Sequence, residues 1–329
     1  MGPSRGVSSG YNPRTPMAEP DLLLAVDGGG TRTRAAVADL DGHILARGFG
    51  ASSNIQNRSL AEVGEALTTA IEGALLQIPG GQWKGEGAAW RSGRIAGACF
   101  GLAGVDTKED EAQVSGWVRD QAVARRFSVL NDSELVLACG TPEGVGVALI
   151  SGTGSICLGR TADGRTCRVG GWGPLTGDEG SGYELAVRAL HLVTKTADAR
   201  AQAQSLVRAA LTHFSQPDVP ALVHFLHEPA TSAADIAGLA TTVLDLAGRG
   251  DTVAATLVDA AVAELVEQVQ VVLRTLRIEK PPFAMAGGML RSHLRTLLLA
   301  RLGDQLGPVS HVTDPVLGAI ALAKRLVRD

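Results

Sequence analysis

Short apolar runs separated by glycine-rich turns dominate the first part of the chain. Runs rich in Leu, Val and Ala predict strands at Leu22–Val26, Arg34–Asp39 and Ile44–Gly50. The dipeptide Asp41-Gly42 between the second and third runs is typical of a hairpin turn. Apolar residues at helical spacing then predict a helix from Leu60 to Leu75. The chain is therefore expected to open with a three-stranded antiparallel meander followed by a helix.

Strands and helices alternate in the next segment. The pattern predicts strands at Ile95–Phe100 and Phe127–Leu130 and helices at 107–125 and Glu134–Cys139, with residues 80–93 as a surface loop. This alternation is typical of an α/β domain.

A second meander, similar in outline to the first, begins near residue 146. The later part of the chain is predicted to be mainly helical, with one further strand at Phe283–Ala286 that leads through Gly287-Gly288 into a helix. Two meanders, each followed by helices and strands, predict a duplicated fold whose halves face each other across a cleft. The strands of the second meander are predicted at Gly146–Ile150, Ile156–Arg160 and Cys167–Gly170, and the helices at 181–196, 198–214, 219–228, 232–248, 251–277 and Val316–Val327.

Composition limits the classes of partner. The 329 residues carry a net charge of −4, and 45% of them are hydrophobic, so a globular protein without a chain-wide nucleic-acid or membrane-surface footprint is expected. No apolar run approaches the ~18–20 residues that cross a bilayer. Four cysteines without a CxxC pair, and no secretory signal, predict a cytoplasmic protein. Residues 1–20 are polar and glycine-rich and are predicted to be a mobile tail.

The first glycine-rich turn has the chemistry of a phosphate-binding loop. In Asp27-Gly28-Gly29-Gly30-Thr31-Arg32-Thr33, Gly29 and Gly30 let the backbone N–H groups approach an anion, and Thr31 and Thr33 could add hydroxyl donors. A carboxylate beside phosphates requires a bridging divalent cation, so Asp27 is the candidate Mg²⁺ residue. The motif is not a P-loop, because no G-x-x-x-x-G-K-[ST] occurs.

Two further glycine turns complete the nucleotide prediction. Gly152, Thr153 and Gly154 lie at the first bend of the second meander, the position equivalent to the first loop. Gly287 and Gly288 follow a strand, where bare backbone can lie against a flat ring. Together they predict that both halves contribute to one nucleotide site.

Two acids are candidates for direct chemistry. Asp132 follows a strand end, where it could accept the proton of an attacking hydroxyl or, alternatively, cap the helix that begins near Ser133. Asp178 lies in the glycine-rich segment 170–182, just before a helix. The length and glycine content of that segment exceed what a simple connection needs.

These motifs resemble a known family. DGGGTRT, NDSE, SGTGS, GGWGPLTGDEGSGYE and AGGM, in this order, are similar to the motifs of N-acetylglucosamine kinases and the related BadF/BadG-type ATPase domain, in the sugar-kinase branch of the actin/hexokinase/Hsp70 superfamily. The resemblance covers residues 21–329. It implies an α/β fold of two ribonuclease-H-like domains, with ATP, Mg²⁺ and a sugar in the central cleft.

The resemblance also assigns roles and boundaries. It implies that Asp132 is the general base, that Asn54 and Asp178 contact the sugar with Asp132, and that Asp27 is associated with the metal. It places the last helix against the first half, so the expected domains are 21–141 plus 314–329, and 142–313 with helical insertions.

The implied activity is phosphorylation of an amino sugar, most directly N-acetylglucosamine at its 6-hydroxyl. Some family kinases carry an aromatic residue shortly after the sugar-contacting asparagine, whereas Ile55-Gln56 stand here, which leaves glucosamine and N-acetylmuramic acid open as substrates.

A homodimer is one expectation for the assembly. A remote alternative is an ATPase activator of a dehydratase, which would hold an iron–sulfur cluster through cysteines. A sugar-sensing regulator would need a DNA-binding helix-turn-helix, and residues 1–20 are too short for one.

Overall fold

The structure is a computed structural model that describes residues 21–78 and 94–328. The predicted tail at 1–20 and the whole of the predicted surface loop at 80–93 lie outside these residues. Within them are two five-stranded sheets, each covered on both faces.

The first sheet contains the first meander. Its central strand β1 pairs antiparallel with β2 and parallel with β4, and the strand order is β3-β2-β1-β4-β5. Neighbouring side chains of β1, such as Leu23 and Leu24, are both buried because they lie in separate apolar clusters on opposite faces. The strands are β1 (Leu22–Gly28), β2 (Arg32–Ala38), β3 (Ile44–Ala51), β4 (Ile95–Leu102) and β5 (Arg126–Asn131).

The second sheet repeats this arrangement. Its strand β6 is antiparallel to β7 and parallel to β9, and the order is β10-β9-β6-β7-β8. The predicted α/β fold with two duplicated halves is therefore confirmed. The strands are β6 (Gly146–Ser151), β7 (Ser155–Arg160), β8 (Thr166–Gly170), β9 (Phe283–Ala286) and β10 (Val309–His311).

Ten α-helices pack around these sheets in the described residues. Helices α1 and α2 share an apolar cluster with one face of the first sheet, and α4, α5, α7, α8 and α9 share one with the second. No helix in residues 21–78 and 94–328 has the length and apolar character that spanning a bilayer requires. The helices are α1 (Leu60–Leu75), α2 (Lys108–Asp120), α3 (Asp132–Gly140), α4 (Gly182–Ala197), α5 (Gln204–His213), α6 (Val219–Leu226), α7 (Ala233–Gly248), α8 (Thr252–Leu276), α9 (His293–Leu302) and α10 (Val316–Arg328).

Several predicted boundaries were wrong. The helix predicted at 107–125 ends at Asp120, and the one predicted at 198–214 begins only at Gln204. In both places a non-glycine residue, Ala122 or Ala199, takes a left-handed backbone conformation with φ of 51° and 58°, which ends the preceding helix. A short 3₁₀ turn separates Gly288 from α9, and the three-residue strand β10 was not predicted.

Helices α3 and α10 lie between the two sheets. Helix α10 packs against β1 and β4 of the first sheet and against α3, while α3 also packs against β6 and β9 of the second. At their contact the backbones touch, since a Cβ on Gly318 would lie 2.1 Å from the carbonyl oxygen of Leu135. The packing of α10 on the first sheet agrees with the prediction that the first domain consists of two chain segments, 21–141 and 314–329. The boundaries at 141 and 314 stay a prediction.

Candidate active site

A cleft of about 810 Å³ separates the two sheets. It is lined by the turns that follow β1 and β4 on one side and β6 on the other, so it lies at the carboxyl ends of parallel strands, where α/β folds usually bind ligands. Eleven of the predicted site residues line it: Asp27, Gly29, Gly30, Thr31, Asn54, Asp132, Gly152, Thr153, Gly154, Asp178 and Gly287.

Asp27 stands at the end of β1, next to the first glycine turn. Its carboxylate lies 3.6 Å from the guanidinium of Arg34 on the neighbouring strand. Burial nevertheless raises the pKa of Asp27 to about 6, against the opposing effect of Arg34. A divalent cation at this carboxylate would offset the cost of burying its charge, so the residue suits a metal-associated role.

The two glycine loops meet across the cleft. The hydroxyl oxygens of Thr31 and Thr153 lie 3.4 Å apart. Behind the second loop, Gly182 donates its backbone N–H to the carbonyl of Gly152 at 2.8 Å, which fixes the loop against the start of α4. The hydroxyls of Thr31 and Thr153 therefore share one space, which a polyphosphate could occupy. The N–H groups of Gly29 and Gly152 instead donate within their own loops, to the carbonyls of Arg32 and Gly154 at 2.9 Å each.

Two predicted site residues, Thr33 and Gly288, do not line the cleft, and for Thr33 the cause is the direction of its side chain. Its side chain is fully buried, and its hydroxyl donates to the carbonyl of Ala51 at 2.6 Å and can accept from the hydroxyl of Ser53, whose Oγ lies 2.8 Å away. The residue belongs to β2, whereas Thr31 precedes that strand. The hydroxyl of Thr33 thus joins β2 to the segment after β3 and is not free for a phosphate.

The turn after β9 packs directly on the second loop. Gly287 has φ of 104°, and a Cβ there would lie 2.1 Å from the carbonyl oxygen of Ser151. Only glycine fits at this close approach of two backbones. Gly288 follows and is exposed, so the turn presents bare backbone beside the nucleotide loops.

Asp132 is the first residue of α3, but it does not cap the helix. That role belongs to Asn131, whose Oδ1 accepts the backbone N–H of Ser133 at 3.0 Å. Burial raises the pKa of Asp132 to about 7, and the nearby carboxylates of Asp27 and Asp106 add to the rise. A carboxyl group with a pKa near neutrality can accept a proton efficiently at physiological pH.

Asp106 is a cleft residue that the sequence analysis missed. It follows β4, and its Oδ1 accepts Nδ2 of Asn131 at 2.9 Å and lies 3.0 Å from the guanidinium of Arg168. Burial raises its pKa, while Arg168 opposes that rise. The glycine-rich turn at the end of the predicted strand was the available signal, because chemistry-bearing residues of α/β folds cluster at such turns.

The two predicted sugar-contacting residues both line the cleft but differ in setting. Asn54 accepts the backbone N–H of Gln56 at 2.9 Å through Oδ1, so it also holds a turn. Asp178 is 8% exposed, has φ of 60°, and faces the backbone N–H of Ser155 at 3.4 Å. Burial raises its pKa to about 6. A carboxylate kept at a left-handed, buried position indicates a functional constraint.

The chain matches a family model and named relatives over most of its length. Residues 24–323 match the BadF/BadG/BcrA/BcrD ATPase family. An N-acetylmuramic acid/N-acetylglucosamine kinase of Clostridium acetobutylicum is 31% identical over 82% of this chain and 86% of its own.

Two further relatives extend this match. An N-acetyl-D-glucosamine kinase of Dictyostelium discoideum is 31% identical over 92% of this chain and 98% of its own. The crystal structure of a Chromobacterium violaceum protein, provisionally assigned as an N-acetylglucosamine kinase, is 27% identical and covers 92% of this chain and 99% of its own at a TM-score of 0.75. The extent of the family match and the identity to these relatives establish that the chain belongs to the BadF/BadG/BcrA/BcrD ATPase family.

Proposed function

We infer that this protein is an ATP-dependent sugar kinase that phosphorylates an amino sugar. The observation that carries the inference is the composition of one cleft. Two glycine loops meet at Thr31 and Thr153, and the same cleft is lined by Asp132, a carboxyl group with a pKa of about 7. A polyphosphate cradle beside a proton acceptor is the arrangement that phosphoryl transfer to a hydroxyl requires.

The nucleotide would be held mainly by backbone. Gly30 and Thr31 on one side, and Thr153 and Gly154 on the other, would donate to phosphate oxygens, with Gly287 and Gly288 beside the adenosine. Gly29 and Gly152, whose N–H groups donate to the carbonyls of Arg32 and Gly154, would shape the two loops. Asp27 would hold Mg²⁺, which when bound supplies positive charge that neutralises the phosphates. These donors are preorganised, so they stabilise charge developing in the transition state without reorganisation.

The sugar hydroxyl would be activated by Asp132. The carboxylate accepts the proton of the 6-hydroxyl while that oxygen forms a bond to the γ-phosphorus, and the bond from this phosphorus to the bridging oxygen of ADP breaks. Asn54 and Asp178 would hold the other sugar hydroxyls. Most of the rate acceleration would come from positioning and electrostatic stabilisation, as in other phosphoryl transfers.

N-acetylglucosamine is the proposed sugar. Two relatives at 31% identity carry this sugar in their names, and one of them also carries N-acetylmuramic acid. Gln56 lines the cleft, and Ile55-Gln56 stand where some family kinases carry an aromatic residue, so glucosamine and N-acetylmuramic acid are kept as alternatives.

A substrate panel tests this proposal. The purified protein is given ATP, Mg²⁺ and, separately, N-acetylglucosamine, glucosamine, N-acetylmuramic acid, N-acetylmannosamine and glucose, and ADP release is followed by a coupled assay. We expect the highest kcat/KM with N-acetylglucosamine, and a product whose phosphorus NMR coupling places the phosphate on carbon 6. ADP release without a phosphorylated sugar would contradict the kinase function.

The dehydratase-activator alternative receives little support from the cysteines. Cys99 and Cys157 are fully buried in the sheets, and burial raises the pKa of both thiols. Cys139 and Cys167 are partly exposed but belong to different elements, α3 and β8. Buried neutral thiols are poor ligands for a cluster shared between two chains.

A further inference from the structure

An ion pair crosses the cleft between the two sheets. Arg168 lies on β8 of the second sheet, and Asp106 follows β4 of the first. The guanidinium Nη1 lies 3.0 Å from Oδ1 of Asp106, and the two side chains are only 24% and 19% exposed. Nη1 also donates to the backbone carbonyl of Asp106 at 3.3 Å. Because both groups are largely shielded from solvent, water and salt screen the attraction of this pair less than that of an ordinary surface salt bridge.

The guanidinium is fixed before any ligand binds. Its Nε donates to the carbonyl of Gly170 at 3.2 Å, and Nη2 donates to the carbonyl of Gly171. Both glycines have left-handed backbones, with φ of 76° and 74°, a conformation that would be strained in other residues. The guanidinium also lies 5.2 Å from the ring centre of Trp172. A planar group with several donors suits this setting better than an ammonium.

The contacts to Asp106 leave part of its carboxylate available. Arg168 and Asn131 both approach Oδ1, at 3.0 Å and 2.9 Å, and among residues 21–78 and 94–328 no hydrogen bond to Oδ2 is found. Asp106 lines the same cleft as Asn54 and Asp178. A ligand hydroxyl can therefore donate to Oδ2 while Oδ1 stays anchored.

We propose that Arg168 is a positioning residue for sugar binding, which holds Asp106 in the cleft and joins it to the segment that leads to Asp178. Arg168 contacts the carbonyls of Gly170 and Gly171, and this glycine-rich segment continues to Asp178. The guanidinium thus links Asp106, on one side of the cleft, to the segment that carries Asp178 on the other. This inference rests on the proposed function, since it assigns the residues that support the sugar side of the same cleft.

Arg168 also compensates the negative charge around Asp106. Asp110 raises the pKa of Asp106, whereas Arg168 and the amide of Asn131 lower it, and Asp106 in turn raises the pKa of Asp132 and Asp178. Loss of the guanidinium would therefore raise the pKa of Asp106. The ionised form would then be lost at a higher pH than in the unaltered protein.

The test compares R168Q and R168K with a matched control, R160Q. Arg160 on β7 forms an ion pair of similar burial with Glu134 on α3, and neither of these residues lines the cleft. Each variant is assayed for kcat and KM with both substrates from pH 5.5 to 9, for direct sugar binding by calorimetry, and for thermal unfolding.

For R168Q we expect sugar affinity and kcat/KM for the sugar to fall about 10- to 100-fold, the usual loss for a charge-assisted contact, with the KM for ATP changed less than about twofold. The acid limb of the sugar kcat/KM profile should move to higher pH. R168K keeps the positive charge but lacks the planar set of guanidinium donors. Compared with R168Q, it should recover part of the sugar affinity and return the acid limb toward its position in the unaltered protein.

R160Q should lower the unfolding temperature. It should change neither the sugar affinity nor kcat/KM for the sugar, and the pH dependence of kcat/KM should stay the same. If R168Q and R160Q behave alike, or if R168Q weakens ATP and sugar equally, the positioning role is wrong. An unaltered protein that phosphorylates no amino sugar would instead overturn the proposed function, and calorimetry of sugar binding separates the two failures.

Discussion

The hydroxyl oxygens of Thr31 and Thr153 lie 3.4 Å apart, although 122 residues separate them in the chain. One belongs to the turn after β1 and the other to the turn after β6, the equivalent strands of the two sheets. Their contact closes the two glycine loops into one surface. Under the proposed function, both hydroxyls would face the phosphates of a single ATP molecule.

The first prediction is that these two threonines act together. T31V and T153V should each lower kcat/KM for ATP about 10-fold, and the double variant should lose less than the product of the two, because neighbouring groups on one ligand are not additive. Steady-state kinetics with ATP varied measures the coupling. Strictly multiplicative losses would show that the loops bind different ligands.

The second prediction separates the two acids that follow β5 and β4. D132N should lower kcat by roughly 10²–10⁴-fold, the usual contribution of a general base, with little change in sugar affinity. Asp132 must be ionised to accept a proton and its pKa is about 7. The kcat of the unaltered protein should therefore fall as the pH drops through 7, and D132N should lose this dependence of kcat.

D106N is the matched comparison for that prediction. Asp106 is held by Arg168 and Asn131, so we expect its replacement to raise the KM for the sugar more than it lowers kcat. A large kcat loss in D106N with near-normal turnover in D132N would transfer the role of base to Asp106.

The third prediction concerns the metal. D27A should lower Mg²⁺-dependent activity by at least about 100-fold and weaken Mn²⁺ binding in the presence of ATP, since it removes the carboxylate that would hold the cation. D120N is the control, because Asp120 at the end of α2 is an exposed acid that does not line the cleft. Unchanged Mn²⁺ binding in D27A, measured by electron paramagnetic resonance, would remove Asp27 from the metal site.

The fourth prediction is that D178N makes the protein more stable and less active. The folded pKa of Asp178 is about 6, above its ordinary value of 3.8, so the folded state binds more protons and its stability falls as the pH rises from about 4 to 6. A neutral side chain avoids this cost, about 3 kcal/mol above pH 7. We expect the unfolding temperature of D178N to rise by a few degrees, while the KM for the sugar rises.

D163N provides a control of opposite sign. Hydrogen bonds from Thr161 and Arg165 lower the pKa of exposed Asp163 to about 2, so its charge favours the folded state above pH 4, and this contribution is lost as the pH falls through 2. D163N should not raise the unfolding temperature at pH 7.5. A similar rise in both variants would point to a general charge effect.

The fifth prediction uses two glycines with the same backbone conformation. Gly287 and Gly250 have φ of 104° and 91°, but a Cβ would clash with the carbonyl of Ser151 only at Gly287, whereas it would meet open space at Gly250. G250A should lower the free energy of unfolding by about 1 kcal/mol. G287A should lose more stability and also raise the KM for ATP. Equal losses in urea unfolding, with an unchanged KM for ATP, would show that Gly287 does not support the nucleotide loops.

Local pattern was enough to predict the residues that stand at strand ends. Asp27 and Asp132 follow buried apolar runs, and the structure brings both to the same cleft. Thr33 was misplaced because the direction of its side chain depends on where β2 begins, and its hydroxyl contacts Ser53 in a segment distant in sequence. The cytoplasmic location and the homodimer stay predictions.

The pair of Asp106 and Arg168 could not be predicted from sequence. Its formation depends on how the two sheets face each other, since one residue follows β4 and the other belongs to β8. Sequence spacing carries no information on that separation. The left-handed backbone of Ala122 and Ala199 could not be predicted either, because alanine ordinarily favours the continuation of a helix.

The position of α10 has a consequence for how the protein is made. This helix covers the face of β1 and β4 that includes Leu23, Ala25 and Cys99, yet it is synthesised after the whole second sheet. Until it emerges from the ribosome, this face of the first sheet is covered only by α3, whose Leu135 belongs to the same apolar cluster, and the apolar surface left exposed favours aggregation. The halves therefore cannot mature strictly in the order of translation. The second sheet and its helices can fold first, and the earliest strands must wait for the latest helix.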